Sequence, residues 1–196
     1  MSEDARFEVI AAGFSGNQSV AESGLRSPDG STRASALRAL ARLDVLSPDI
    51  VNEFLHDEDP EVRRTAVELA APFTSVLVHS LIDDKDVFVA EMAAWCLGER
   101  VPIKDDEINI LIDRTTSHAE AVVREACAAA LGSIGDERGL PAILVACSDK
   151  PAVRRRAILA LAPFEGDDVD AALTKALDDK DWQVRQNAED LLNPRG

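Results

Sequence analysis

The stretch DPEVRRTAVELA at residues 59–70 returns as KPAVRRRAILALA at residues 150–162. A chain that spells nearly the same helix twice is stacking copies of one unit, and this recurrence constrains the fold more than any other feature. With Val62 as anchor, equivalent positions fall at Thr32, Val89, Val123, Val153 and Val184, at spacings of 27 to 34 residues. Four residues on stand small side chains: Ala36, Ala66, Ala93, Cys127, Ala157 and Ala188. Eight residues on stand Leu40, Ala70, Leu97, Leu131, Leu161 and Leu192. Anchor, fourth and eighth positions lie on one face at helical period. Three residues before the anchors, Asp29, Asp59, Asp86, Glu120 and Asp181 are suited to helix N-termini, where side-chain oxygens accept orphan N–H groups. Pro60 and Pro151 follow at the first helical position, where a missing N–H costs nothing.

Between these helices lie second apolar segments, DIVNEFLHD, SVLVHSLID, EINILIDRT, LPAILVACS and DVDAALTKALDD, each read as helical. SVAESGLRS supplies the partner helix of the first unit, and the residues before it read as a degenerate cap. One helix pair cannot bury its own apolar face, so stacked copies build a continuous core. The expected fold is all-α, an α-solenoid (α-α superhelix) of about six helical hairpins and about twelve helices, curved right-handedly. It forms a single domain over residues 1–196. Its cap is 1–16, and its repeats are approximately 17–44, 45–72, 73–100, 101–135, 136–164 and 165–193.

DEDPEVRRTAVELA, DDKDVFVAEMAAWCLG and DDKDWQVRQNAEDLL resemble HEAT repeats, and among these the short HEAT-like repeats found in phycobilisome lyases. The shared signature is Asp, then Arg, then Ala, as in Asp57, Arg63, Ala66 and Asp179, Arg185, Ala188. In that family the Asp and Arg align between neighbouring repeats as a polar ladder. The resemblance implies this structural role for Asp57, Asp84 and Asp179 and for Arg33, Arg63, Arg124, Arg154 and Arg185. Departures are Ala90 in place of the Arg, and Ser27, His118 and Ser148 in place of the Asp.

The second helix of such a pair lines the concave surface. Positions two, three, six and ten after each anchor should then be exposed, Ala34 among them. The groove's charges sum to zero: Arg38, Arg42, Arg64, Arg155 and Arg156 against Glu68, Glu91, Glu99, Glu125 and Asp190. Around the third repeat the polar pattern lapses, and Met92, Trp95, Ala126, Ala129 and Leu159 take exposed-phase positions. An apolar strip rimmed by charge marks an interaction site, with Arg64, Arg155 and Arg156 available to acidic residues of a partner. Alternatively, Trp95 tilts into the repeat interface and fills the space that Ala90 leaves. Trp182 reads as a shield over the end of the stack.

The net charge of −15 repels a phosphate backbone, and no uniform basic face interrupts it, so no nucleic-acid partner is expected. No apolar run is long enough for a membrane span. The acidic start lacks the features of a signal peptide, and the three cysteines, Cys96, Cys127 and Cys147, form no CxxC pair. These features fit reduced thiols in a cytoplasmic monomer. His56, His79 and His118 lie in different repeats, without HExxH or the His–Glu pairs of HEAT-built di-iron hydroxylases. No metal, cofactor or catalytic residue is expected. The expected function is a non-enzymatic scaffold or adaptor with a protein partner on its concave face. The resemblance offers a second reading, a lyase-like or regulatory subunit acting on a tetrapyrrole or its carrier protein.

Overall fold

The structure, a computed structural model, describes residues 2–193. The α-helices among them are α1 (Ser2–Ser15), α2 (Gln18–Gly24), α3 (Gly30–Arg42), α4 (Pro48–Phe54), α5 (Pro60–Leu69), α6 (Val87–Gly98), α7 (Asp105–Ser117), α8 (Ala121–Ile134), α9 (Leu140–Ala146), α10 (Pro151–Ala160), α11 (Asp167–Ala176) and α12 (Trp182–Leu192). Short 3-10 turns stand at His79–Asp83 and Glu137–Gly139, and no strand occurs among the described residues. The fold is all-α, of the α-solenoid class built from helical hairpins. Within α6 the chain divides into two compact units, Met1–Cys96 and Leu97–Gly196.

In the first unit α2 pairs with α3 and α4 with α5, α3 packs on α5, and α1 packs on both α2 and α3. The anchors Thr32, Val62 and Val89 are buried, as are Ala36, Ala66 and Ala93 four residues on. The acidic residues before the anchors start these helices. Asp29 accepts the N–H of Thr32 at 2.9 Å, Asp59 that of Glu61 at 2.8 Å, and Asp86 those of Phe88 and Val89 at 3.0 and 3.2 Å. Each satisfies donors that have no partner within the helix.

In the second unit the hairpins are α7–α8, α9–α10 and α11–α12, with α8, α10 and α12 packed in one row. Val123, Val153 and Val184 are buried there, with Cys127, Ala157 and Ala188. Small residues set the spacing of this row. A Cβ on Gly132 would lie 2.6 Å from Ala160 Cα, so only glycine fits between the two backbones. Helix α8 then ends at Gly135, whose φ of +68° is a conformation that favours glycine. Glu120 stands at the start of α8 without a side-chain hydrogen bond, unlike the aspartates elsewhere.

The ladder is present, and each rung joins one repeat to the next. Arg33 forks onto Asp57 at 2.8 and 2.6 Å, Arg63 onto Asp84 at 2.9 and 2.8 Å. In the second unit Arg124 forks onto Asp149 at 2.6 and 2.8 Å, and Arg154 onto Asp179 at 2.8 and 2.7 Å. The remaining nitrogen of each guanidinium reaches a carbonyl just before its own helix, such as Asp57 O from Arg63 at 2.9 Å. The carboxylates also organise their turns: Asp57, Asp84 and Asp179 each accept the N–H two residues on at 2.8 Å. Burial alone would raise the Asp57 and Asp84 carboxyls, but the arginine and backbone hydrogen bonds outweigh it and hold them below the ordinary carboxylate range. The guanidinium bonds from Arg124 and Arg154 lower Asp149 and Asp179 in the same way.

Several expectations need correction. The ladder carboxylate of the fifth repeat is Asp149, one residue beyond Ser148, because the turn there is offset by one position. Arg185 carries no rung to a further repeat; it donates to the carbonyls of Asp179 and Lys180 at 2.7 and 3.2 Å. Ser27 and His118 keep only the turn function, accepting the N–H of Asp29 at 3.2 Å and of Glu120 at 3.1 Å. SVLVHSLID forms no α-helix. Val76 and Val78 are buried and Leu77 is exposed, an alternation of period two, before the 3-10 turn. The run is a turn, closed by Val76 N on Phe73 O at 2.9 Å, that leads into the 3-10 helix. In its place α1 supplies the twelfth helix, at full length. Ala34 is buried, since α3 has α1 beside it as well as α5, with Arg6 Nε donating to Ser35 Oγ at 3.2 Å.

Candidate protein-binding face

The residues expected to form an apolar strip divide between the two units. Arg64, Met92 and Trp95 belong to the first; Ala126, Ala129, Arg155, Arg156 and Leu159 belong to the second. Each group is described separately.

In the second unit the face is built by α8, α10 and α12. Leu159, six residues after its anchor, is 43% exposed, and Ala126 and Ala129 are half-buried. A shallow depression of about 250 Å³ is lined by Glu125, Ala152, Arg155, Arg156, Leu159, Gln183 and Asn187. Its polar rim is held within the chain. Arg155 bonds Asp181 at 3.0 and 2.5 Å, Arg156 lies 3.7 Å from Glu125, and Asn187 Nδ2 donates to Arg155 O at 3.1 Å. The Arg155 guanidinium brings the Asp181 carboxyl down to about 2. Arg155 and Arg156 are thus already paired, against the expectation that they await a partner's carboxylates.

In the first unit Trp95 is 43% exposed, so its ring is not swallowed by the space beside Ala90. Met92, one turn earlier on α6, is half-buried, as is Arg64 on α5. Trp95 also stands six residues after its anchor. In the two preceding repeats that position holds Arg38 and Glu68, joined at 3.1 Å. The third repeat replaces a self-neutralising ion pair by a large apolar ring. Trp182 is 65% exposed at the start of α12 and shields little.

Nothing in this face resembles a nucleophile with its base. Cys96 and Cys127 are buried, and burial pushes the half-buried Cys147 thiol up to about 11, which keeps it protonated and weakly nucleophilic at neutral pH. Among the described residues no group of three or more His, Cys, Asp or Glu lies close enough to hold a metal ion. No helix among them is long and apolar enough to cross a membrane.

Sequence reasoning missed a buried ion pair nearby. Arg100 donates to Glu107, and both side chains are almost wholly enclosed. Glu107 also accepts the N–H of Lys104 at 3.2 Å, closing the first turn of α7. The signal available was an Arg and a Glu bracketing VPIKDD, the insertion that stretches one repeat to 34 residues, but it has no counterpart in other repeats.

The family profile described as HEAT repeats matches residues 108–193. Over that stretch, in the second unit, the chain matches the HEAT-repeat pattern. No curated protein sequence matches it. Among solved structures, Escherichia coli YibA is similar at 18% identity and a TM-score of 0.69, over 98% of this chain and 75% of that one. The phycocyanin lyase complex of CpcE and CpcF from Nostoc sp. is similar at 22% identity and a TM-score of 0.62, over 89% and 75%. A designed armadillo repeat protein in complex with the peptide (KR)4 is similar at 18% identity and a TM-score of 0.60, over 88% and 96%. At these identities the likeness is one of fold. The HEAT anchors explain it: buried Val and Ala at fixed offsets fix how one hairpin sits on the next.

Proposed function

We propose that this HEAT-repeat chain is a non-enzymatic scaffold or adaptor that receives a segment of a partner protein. Each unit offers its own anchor point: Leu159 on the α8–α10–α12 face, with Ala126 and Ala129, in the second, and Trp95 with Met92 in the first. The observation that carries this reading is the sixth position after the anchor. It holds an ion pair in the first two repeats and a 43% exposed apolar side chain at Trp95 and again at Leu159. Large apolar groups on a framed surface, surrounded by fixed polar pairs, are the pattern of an interaction hot spot. The charge of −15 steers basic partners toward the chain at long range, whichever residue then anchors them. The designed relative bound to (KR)4 is a fold precedent for a basic segment lying on such helices.

Trp95→Ala and Leu159→Ala test this reading in affinity capture followed by titration of the recovered partner. Each should weaken binding by about 2 kcal/mol with little change in the thermal melt. A melt that collapses while the remaining folded protein binds normally would make these core residues and end the proposal.

The second reading, a lyase-like subunit handling a tetrapyrrole or its carrier, is supported by the fold likeness to the CpcE–CpcF complex. Titration with a linear tetrapyrrole distinguishes the two: a shifted visible absorption band on the purified chain favours the second, an unshifted one the first.

A further inference from the structure

Helix α1 has two apolar faces. One is inward: Val9, Ala12 and Gly13 are buried against α2 and α3. The other points away from the unit and carries Phe7 and Phe14, each 72% exposed, with Ile10, 38% exposed, between them. Spacings of three and four residues put these side chains on one helical stripe. A single exposed phenylalanine is ordinary, but three large apolar groups in register on an outermost helix form a seam. The last helix of the second unit is different: Arg185, Gln186, Glu189 and Asp190 of α12 are exposed, and its one large exposed apolar side chain is Trp182 at its start.

We propose that α1 is the seam of a two-fold dimer, packing antiparallel on α1 of a second copy of this chain. The stripe is self-complementary. Its aromatic ends flank Ile10, so reversing one copy sets Phe7 against Phe14 of the other and leaves the two Ile10 side chains together near the axis. The charges agree with this pairing. The Arg42 guanidinium lies 4.1 Å from the centroid of the Phe14 ring, and makes no ion pair among the described residues. Asp4 precedes Phe7 by one turn on the same side of α1. Antiparallel pairing therefore brings Asp4 of each copy toward Arg42 of the other, twice by symmetry. A closed two-fold contact uses the same patch on both copies, which a stripe with matching aromatic ends allows. The dimer departs from the monomer expected of the sequence.

Sedimentation velocity on the full chain tests the proposal. The expected result is a concentration-dependent dimer in the micromolar range. Two chains of −15 repel each other, so raising the salt should tighten it. Phe7→Asp and Phe14→Asp should each weaken it about tenfold or more, with an unchanged circular-dichroism spectrum. Ile10→Cys should cross-link to its own copy under mild oxidation, beyond the wild-type background, whereas Gln18→Cys, off the seam, should not. If the aspartate variants fail to fold, the contrast between these two cysteine variants decides. A chain that stays monomeric at every concentration and salt overturns the proposal. So does a dimer that ignores Phe7→Asp and Phe14→Asp in folded variants, or one that cross-links equally at both cysteines. A seam for a basic helix of another protein would give the first of these results.

Discussion

Arg63 and Arg100 are both buried guanidiniums bonded to a carboxylate, yet the sequence treats them differently. Arg63 belongs to a rung spelled again at Arg33, Arg124 and Arg154, and its partner Asp84 also fixes the turn before α6. Arg100 occurs once, between the end of α6 and the start of α7, and its partner Glu107 doubles as the cap of α7. The first pair joins repeats. The second closes an irregular joint where a repeat lengthens. Burial is similar in both, so the difference lies in repetition: the Arg63 rung is one of several, while the Arg100–Glu107 pair has no counterpart in the other repeats.

The comparison predicts an order of effects. Arg100→Met, which leaves the buried Glu107 carboxylate without its guanidinium, should cost about 3–5 kcal/mol in urea denaturation. The double variant Arg100→Met/Glu107→Leu should recover most of that loss. A double variant as unstable as Arg100→Met would show that the pair itself, and not its orphaning, is what the joint needs.

Arg63→Met should cost about 2–3 kcal/mol, the range of a hydrogen-bonded charge with neighbours left in place. Acid should reveal the same rung. Asp84 sits below its ordinary pKa when folded, so its contribution is present above the unfolded value of about 4 and is lost as pH falls through the lower folded value. The stability gap between wild type and Asp84→Asn should therefore be full at neutral pH and shrink in acid. A gap independent of pH would mean that Asp84 acts as a turn former only.

Ala157→Leu, overpacking the contact between helices of the second unit, should cost about 1–3 kcal/mol. Ala34→Leu should cost a similar amount, because Ala34 is buried too. A negligible loss at Ala34 would show that α1 yields to it.

Smallest of all is Arg185→Ala. Among the described residues this ladder arginine donates to carbonyls alone, and it is exposed, so its loss should change stability by under about 1 kcal/mol. A loss as large as that of Arg63→Met would mean that the rungs owe little to their aspartates.

The sequence by itself determined what repetition can record. The Val and Ala anchors, the aspartates that start helices, and the arginines of the ladder recur at fixed offsets because every hairpin meets its neighbour in the same way. Tertiary structure decided what occurs once. Asp149 took the rung from Ser148 because one turn is offset by a residue. The run around Val76 and Val78 became a turn and a 3-10 helix in place of an α-helix, with Val76 N bonded to Phe73 O at 2.9 Å. Ala34 was buried because α1 lies beside α3, which no spacing within α3 could disclose. Trp95 and Leu159 occupy the same phase by sequence, but their exposure depends on how neighbouring helices cover that phase. The outward face of α1 was hidden for a related reason: apolar residues on two sides of one helix cancel the periodic signal, and only the packed neighbours show which side remains open.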